Sequence, residues 1–374
     1  MHVTRSFARL RKEGFDRQAG FTLMELMVGM TIGMIATIVI VQVMSVFEAQ
    51  KRATTGTADA QTNGGIALYS IGREAAMAGF PLYPGTDTPL SCTTTTSSVA
   101  GLTANTALTP VAITEVAAVA SVSPATDKIT IRYGNPQETG AAAGATAGVP
   151  STITALVGSA ATVGSNLGCQ VGDITVINTG ATCAISKVTA VSAAGVSPIS
   201  VTLADTNGAV SGASLACVGA WNEVTYSVNA ATGNLERTAV VNGVSTGAVP
   251  IVTGIVNIQA QYGISTAGNV NQISSWVDAT TGGLWDPALI TVANRNRIKA
   301  VRIAVVARNA KLEQSIVTTA QPVPWTNTVT FDGAVWAGPT IDLSPGVTKW
   351  NYYRYRVFET IVPLRNVIWS KDTL

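Results

Sequence analysis

The longest apolar stretch of the chain lies near its N-terminus, over residues 21–47. It contains 27 residues, and Glu25 is the only charged one. A helix crosses the apolar part of a bilayer with about 20 residues. The pattern therefore predicts a transmembrane helix over residues 21–47.

The pattern becomes amphipathic after this run, and no proline occurs before Pro81. Spacings of three and four residues, which place side chains on one helical face, relate Ile66, Tyr69, Arg73, Ala76 and Phe80. We expect the helix to continue over residues 48–80, to pack this face against a domain, and to stop at Pro81.

Three glycines interrupt the second half of this helix: Gly56, Gly64 and Gly65. Each destabilises a helix by about 1 kcal/mol relative to alanine. They are interpreted either as points of flexibility for packing in an assembly or as tolerated surface glycines.

Residues 81–374 follow a different pattern, with short β-branched runs between clusters of Gly, Asn, Asp and Pro. This pattern is typical of antiparallel strands. The predicted strands cover residues 128–133, 173–178, 199–203, 223–228, 258–263, 298–307 and 353–362. The predicted fold class is α+β, with a long N-terminal helix packed on a C-terminal antiparallel β-rich head.

Two parts of the head differ in composition. Residues 93–167 are rich in Thr, Ala, Gly and Ser, which indicates exposed loops or an insertion with weak strands. They are interpreted as plain solvent-facing loop or as a target for O-glycosylation. The well-packed core is expected in the C-terminal part, which holds all seven tryptophans: Trp221, Trp276, Trp285, Trp325, Trp336, Trp350 and Trp369.

Composition argues against an enzyme. Only 12% of the 374 residues are charged, 47% are hydrophobic, and the mean hydropathy is +0.33. The single histidine is His2, so the rest of the chain has no imidazole for a catalytic triad or a metal site. No P-loop, HExxH or paired CxxC motif occurs. No catalytic residue, cofactor or metal is expected.

The charge is unevenly distributed. Residues 1–20 hold five basic and two acidic side chains, a net charge of +3, whereas the chain as a whole has +2. By the positive-inside rule this basic leader stays in the cytoplasm and the head crosses the membrane. A secretory signal is cut after its apolar core, but here the small residue, Gly20, precedes the core.

The segment Gly20-Phe21-Thr22-Leu23-Met24-Glu25 resembles the prepilin leader of type IV pilins and pseudopilins. The resemblance implies cleavage between Gly20 and Phe21, N-methylation of Phe21, and retention of the apolar helix. It also implies that Glu25 acts in assembly, by pairing with the terminal ammonium of a neighbouring subunit.

An intramembrane carboxylate costs on the order of 2.5 to 3.5 kcal/mol on insertion scales, which makes Glu25 a functional candidate. The alternative interpretation places Glu25 near the membrane interface, at the positive end of the helix dipole.

Residues 296–308 and 355–366 are similar to the C-terminal blocks of PilW-type minor pilins, and residues 258–263 are similar to a third block. The resemblance covers residues 1–80 and about 250–370. It implies a minor pilin that joins other minor pilins and the major pilin in a complex that primes the pilus and sits at its tip. Twitching motility and adhesion would follow.

The same resemblance implies further partners and a location. The partners are a prepilin peptidase and methyltransferase, and a tip adhesin is a further candidate. The protein would sit in the inner membrane as a single-pass subunit, with its N-terminus cytoplasmic and its head periplasmic, and then move into the pilus. A pseudopilin of a type II secretion system and a pilus-borne module that binds DNA or surfaces remain alternatives.

Basic residues alternate at Arg295, Arg297 and Lys299, so on a strand they would share one face. A solvated face or a subunit contact is the favoured interpretation. Contact with nucleic acid is the less favoured one.

The four cysteines form no CxxC pair and have no histidine beside them, which argues against zinc and, in an exported chain, favours disulfides. Four cysteines allow three connectivities. The predicted pairing joins Cys169 with Cys183, across a short strand, and Cys92 with Cys217.

Overall fold

The computed structural model describes residues 20–82, 92–102, 108–119, 124–136, 151–166, 168–193, 196–325, 329–331, 334–336, 341–345 and 347–368. The leader ahead of Gly20, residues 137–150 of the Thr-rich region and Trp369 lie outside these ranges. The chain divides into two units, residues 1–55 and 56–374. The helix α1 (Leu23–Ala75) contributes to both.

In the first unit, α1 exposes its apolar side chains. Phe21 is 88% exposed, and Leu23 and Met34 are 78% and 70% exposed. An 18-residue window of α1 has a mean hydropathy of 2.2 and no buried residue. By length and composition, α1 is therefore able to cross a membrane.

In the second unit, the rest of α1 buries a face of mostly small side chains. Spacings of three and four residues relate its buried positions Gly56, Ala60, Gly64, Ala67 and Ile71. The prediction that the face of Ile66, Tyr69, Arg73, Ala76 and Phe80 packs on the domain is wrong, because these side chains are exposed. Small residues let the helix backbone approach the sheet more closely than bulky ones would.

Two of the glycines in α1 are packing contacts. A Cβ atom on Gly56 would overlap the side-chain amide of Asn309, and one on Gly64 would overlap the ring of Phe358. The helix runs unbroken through both positions. Neither flexibility nor surface tolerance accounts for them. Gly65, in contrast, has open space around the position of a Cβ.

The helix α1 ends at Ala75, earlier than the predicted end at residue 80. The next turn tightens, because Met77 N donates to Glu74 O at 2.9 Å and Ala78 N donates to Ala75 O at 3.1 Å. Gly79 then has a φ of +80°. This left-handed conformation suits glycine and turns the chain away from the helix axis.

Seventeen strands follow α1 in the described parts of the head. They are β1 (Thr94–Ser97), β2 (Val111–Val116), β3 (Thr126–Asn135), β4 (Ser151–Val157), β5 (Ala160–Val163), β6 (Ile174–Asn178), β7 (Thr182–Val191), β8 (Ser200–Leu203), β9 (Ser214–Asn229), β10 (Asn234–Val241), β11 (Val244–Thr253), β12 (Ile255–Ile264), β13 (Ser275–Val277), β14 (Ile298–Arg308), β15 (Val329–Phe331), β16 (Ala334–Trp336) and β17 (Tyr355–Pro363). Two short helices, α2 (Val292–Arg295) and α3 (Arg365–Ile368), complete the head. Each of the seven predicted strands overlaps an observed one.

The larger sheet has 11 strands, with the main order β1-β7-β8-β5-β4-β9-β10-β11. The long strand β9 also pairs with β3 and β6, and β3 in turn pairs with β2. The contact of β1 with β7 is parallel, and the other pairings of described strands are antiparallel.

The smaller sheet has the order β13-β12-β14-β17. All of β12 is buried, and so is β14 except for its last residue. One face of β14, with Val301 and Ile303, joins the main core, and Val306 on the other face packs with Ile341. Cover on both faces explains why apolar side chains occupy both faces of β14, as at Val305 and Val306.

The main core extends well beyond the tryptophan-rich part of the chain. It joins Ile71 of α1 and Ile131 of β3 to Trp221, Tyr262 and Val301. Trp221 and Trp285 are buried in it, as predicted for core tryptophans. Within residues 93–167, β2 and β3 are neither exposed loops nor weak strands, because they bring apolar side chains into this core; β3 includes the predicted strand at 128–133.

The predicted disulfide pairing is wrong. The bonds join Cys92 with Cys183 and Cys169 with Cys217, each with a Cα–Cα distance of 5.3 Å. Cys92 and Cys183 lie in the main core, whereas Cys169 and Cys217 lie in a second core on the other side of the larger sheet. Side chains alternate between the two faces of a strand. Cys183 therefore points away from Cys169, although these two cysteines are the closest pair in the sequence.

Candidate assembly site

The N-terminus of α1 forms a reciprocal cap between Thr22 and Glu25. Thr22 donates from its backbone N and from its Oγ1 to Glu25 Oε2, both at 3.0 Å. Glu25 N donates back to Thr22 Oγ1 at 3.2 Å. This is a capping box, and the spacing T-x-x-E is its sequence signal. The sequence reasoning considered Glu25 but missed Thr22.

Gly20 and Phe21 precede the first turn of α1 and are both exposed. Nothing lies within 4 Å of the position of a Cβ on Gly20. The peptide bond between these two residues therefore lies outside regular secondary structure, next to an ordered helix start.

Farther along α1, Glu74 fixes the helix to the larger sheet. Arg237 of β10 donates to Glu74 Oε1 from Nη2 at 2.7 Å and from Nε at 3.1 Å. Beside this pair, Tyr226 donates from its hydroxyl to Ser70 O at 3.3 Å. Burial raises the pKa of Tyr226 above its usual value, so it stays a neutral donor.

The two sheets meet where β3 begins, beside β12. Thr126 Oγ1 exchanges hydrogen bonds with the backbone of Ile258, and Asp127 Oδ2 accepts from Ala260 N at 2.7 Å. Burial raises the pKa of Asp127 to about 8, Ala260 N–H opposes this, and the negative charge of Asp278 adds to it. Asp127 is therefore mostly protonated at neutral pH.

The alternating basic residues do not form a solvated strand face. Arg295 belongs to α2 and is 1% exposed, and Lys299 of β14 is fully buried. Arg295 Nη1 donates to Cys92 O at 3.2 Å, and Lys299 Nζ donates to Gly268 O at 3.0 Å. The expectation of a solvated or subunit-contacting face is wrong for these two, because backbone carbonyl groups hold their charges inside the head.

Arg297, the residue between them, is half-buried. Its Nε donates to Ser265 O at 2.8 Å, and its guanidinium group lies 5.4 Å from the centre of the Trp285 ring. These contacts also hold it within the head. Arg295, Arg297 and Lys299 therefore do not form a basic surface for nucleic acid.

On the outer face of the smaller sheet, Arg302 lies between two indole rings. Its guanidinium is 5.0 Å from the centre of the Trp276 ring and 4.5 Å from that of Trp325. Nε and Nη2 of Arg302 donate to Gln261 Oε1, and Gln261 Nε2 donates to Asp278 at 2.6 Å. Burial lowers the pKa of Arg302 to about 10, against the effect of Asp278.

An open cleft of about 580 Å³ is lined by Trp276, Arg302 and Trp325, together with Glu359 and Ile361. The sequence reasoning missed it, although Asn257, Gln259 and Gln261 alternate along β12 and so indicate a polar face.

Among the described residues, no group of three or more His, Cys, Asp or Glu side chains could hold a metal ion. The candidate site in the first unit is thus an exposed helix start with one carboxylate. In the second unit, the head is fixed to the second part of α1. An apolar helix that can cross a membrane, followed by a strand-rich head, is the architecture of a membrane-anchored pilin-like protein.

Comparison with known families agrees with this class. Residues 15–41 match the prokaryotic N-terminal methylation motif, and residues 224–366 match the Type IV Pilus-assembly protein W family. Over these two ranges, which together make up less than half of the chain, the protein is similar to a PilW-type type IV pilin.

A comparison with curated proteins found no match. Among solved structures, a type IV-like pilin from Thermus thermophilus is similar, with 10% identity over 83% of this chain and 96% of that one. Its TM-score is 0.29. Because this value is below 0.5, nothing about the present chain is inferred from that structure.

Proposed function

We propose that the chain is a minor pilin that takes part in type IV pilus assembly, in the complex that primes the pilus and sits at its tip. The observation that carries the proposal is Glu25, the only charged residue of the apolar run, in the first turn of α1, whose first part is otherwise apolar and exposed. Outside the lipid bilayer, such a helix has to bury its apolar side chains against other apolar helices.

Processing would complete this site. Cleavage between Gly20 and Phe21 converts the Phe21 nitrogen into an amine, which a methyltransferase then modifies. The Thr22 N–H and hydroxyl groups survive cleavage, so the capping box that orients Glu25 is retained. In the assembly, Glu25 would accept the terminal ammonium of a neighbouring subunit, which compensates the cost of a carboxylate in an apolar layer.

The partners in this proposal are other minor pilins, the major pilin and the prepilin peptidase. A tip adhesin is a further candidate. The subunit would wait in the inner membrane with its head in the periplasm, and it would then leave in the pilus and support motility and attachment. The match of residues 224–366 to a pilus-assembly family favours a pilus over a secretion pseudopilus. The function needs specific contacts rather than catalysis.

The test is a deletion strain complemented with Glu25→Ala. We expect normal cleavage, measured by mass spectrometry of the mature N-terminus, together with at least a tenfold loss of the protein from sheared pili and fewer pili per cell. The control is Glu48→Ala, because Glu48 lies just after the apolar run and is exposed. Normal incorporation of the Glu25 variant would overturn the proposal.

A further inference from the structure

A second open cleft lies between α1 and the end of the smaller sheet, within the unit formed by residues 56–374. Its volume is about 460 Å³. Arg354 and Arg356 line one side, and Thr57 and Ala60 of α1 line the other. None of the described residues that line it is acidic, so the cleft favours a negatively charged group.

Asn309 supplies the most specific feature of this cleft. Its side chain is buried, with the residue only 1% exposed. Asn309 Oδ1 accepts from Lys311 N at 2.9 Å, which fixes the orientation of the amide. Asn309 Nδ2 is then a buried donor with no hydrogen-bond partner among the described residues. A buried donor left in this state destabilises the folded protein, and an oxygen atom of a ligand would remove that cost.

The two arginines differ in the ion pairs that they already form within the described part of the chain. Arg354 donates from Nε to Glu313 Oε1 at 2.9 Å, which occupies one edge of its guanidinium. Arg356 is exposed, and no ion pair to it occurs in the described part of the chain. A planar guanidinium binds two oxygens of a phosphate at once, and such charge-assisted bonds are stronger than neutral ones.

We propose that this cleft binds a phosphate group, of the kind that a phospholipid headgroup carries. Arg356 forms the main ion pair, Arg354 adds a second positive charge, and Asn309 Nδ2 donates to a phosphate oxygen. The volume lies within the usual range for small-ligand sites, about 300–1,000 Å³. In the sequence, Thr57 comes ten residues after Phe47, where the apolar run ends. For a chain anchored in a membrane, anionic lipid headgroups are therefore the most accessible source of phosphate groups. The inference does not depend on the pilin function.

The experiment uses the full-length mature chain in a non-ionic, phosphate-free detergent. Inorganic phosphate, glycerol 3-phosphate and dihexanoyl phosphatidylglycerol are titrated separately, and dissociation constants are measured by calorimetry and ³¹P NMR. We expect saturable binding that Arg356→Ala weakens at least tenfold. The matched control is Arg73→Ala, which removes an exposed arginine of α1 outside the cleft and should change the dissociation constant less than twofold.

Asn309→Asp is the second variant. It keeps the acceptor for Lys311 N but places a carboxylate oxygen where the phosphate oxygen would lie, so binding should fall at least tenfold. Its thermal unfolding is measured in parallel. If Asn309→Asp unfolds, Arg356→Ala decides alone, because the exposed Arg356 can be truncated without opening the core.

The three probes separate the two sources of phosphate. Tighter binding of the short-chain lipid than of inorganic phosphate supports a headgroup site, and equal binding supports a site for free phosphate. The proposal is overturned if no probe saturates, or if Arg73→Ala weakens binding as much as Arg356→Ala. It is also overturned if an acidic peptide competes as well as phosphate, which would indicate a carboxylate-bearing protein partner instead.

Discussion

Gly64 of α1 lies against the ring of Phe358 on β17, so closely that no Cβ atom fits between them. About two turns earlier, Gly56 contacts the Asn309 amide in the same way. These contacts let the helix backbone lie directly on the smaller sheet. The second part of α1 is therefore held by shape as well as by apolar area.

Gly64→Ala should lower the free energy of unfolding by about 1–3 kcal/mol, because the added methyl group must displace the Phe358 ring. Gly65→Ala is the control, since open space surrounds that position. It should be neutral or stabilising by up to about 1 kcal/mol, from helix propensity alone. Denaturant unfolding of the full chain in detergent measures both. Equal effects of the two changes would contradict the close contact, and Phe358→Leu should partly rescue Gly64→Ala.

Peptide mapping without reduction should recover the pairs Cys92–Cys183 and Cys169–Cys217. The two bonds close loops with sequence separations of 91 and 48 residues. The chain-entropy relation then gives a stabilisation of about 4–5 kcal/mol for each. Replacing either pair by alanines should lower the free energy of unfolding by roughly this amount. Recovery of a peptide joining Cys169 to Cys183 would show that the two faces of the larger sheet are wrongly assigned.

Asp127 should make stability depend on pH between about 4 and 8. Its pKa is about 8 in the folded protein and about 3.9 in an unfolded chain. Across this window the unfolded state has lost the proton and the folded state keeps it, so the free energy of unfolding falls as pH rises, by on the order of a few kcal/mol. Above pH 8 this dependence ends.

Asp127→Asn should flatten that slope, because the amide oxygen still accepts from Ala260 N and carries no charge. Asp278 and Glu115 also face Asp127, so their charges remain in both proteins. Asp342→Asn is the control: Asp342 is exposed, and hydrogen bonds from Ser344 lower its pKa. Urea unfolding at several pH values measures the slopes. An unchanged slope in Asp127→Asn would show that this carboxyl group titrates normally.

The ion pair of Glu74 with Arg237 should contribute more than the exposed pair of Glu48 with Arg52. The first pair has side-chain exposures of 9% and 30%, and the second has 55% and 64%. Each pair is tested by a double-mutant cycle that replaces glutamate by glutamine and arginine by methionine. The coupling energy should be about 1.5–3 kcal/mol for the first pair. For the second pair, an i,i+4 surface pair, the coupling should stay below about 0.5 kcal/mol. Similar couplings would mean that Glu74 is well solvated in solution.

Seven of the seventeen strands described in the head were predicted from β-branched runs between turn residues, among them β9, β12 and β14. The short polar strand β1 and the strand β11, which Gly247 and Pro250 interrupt, lacked that signal. The capping box was also readable, as threonine three residues before Glu25. The Trp276, Arg302 and Trp325 group was not, because its members lie far apart in the sequence and meet only when β13, β14 and a loop pack together.

Local features were predictable from residues that are neighbours in the chain: the apolar run with its single carboxylate, the glycine before Phe21, and the alternation that forms strands. The buried face of α1, the disulfide pairs, and the burial of Arg295 and Lys299 depend instead on the tertiary structure. Each of these depends on which surface comes from elsewhere in the chain. Close packing on a sheet selects small helix residues, the two faces of a strand separate nearby cysteines, and distant carbonyl groups accept hydrogen bonds from buried cations.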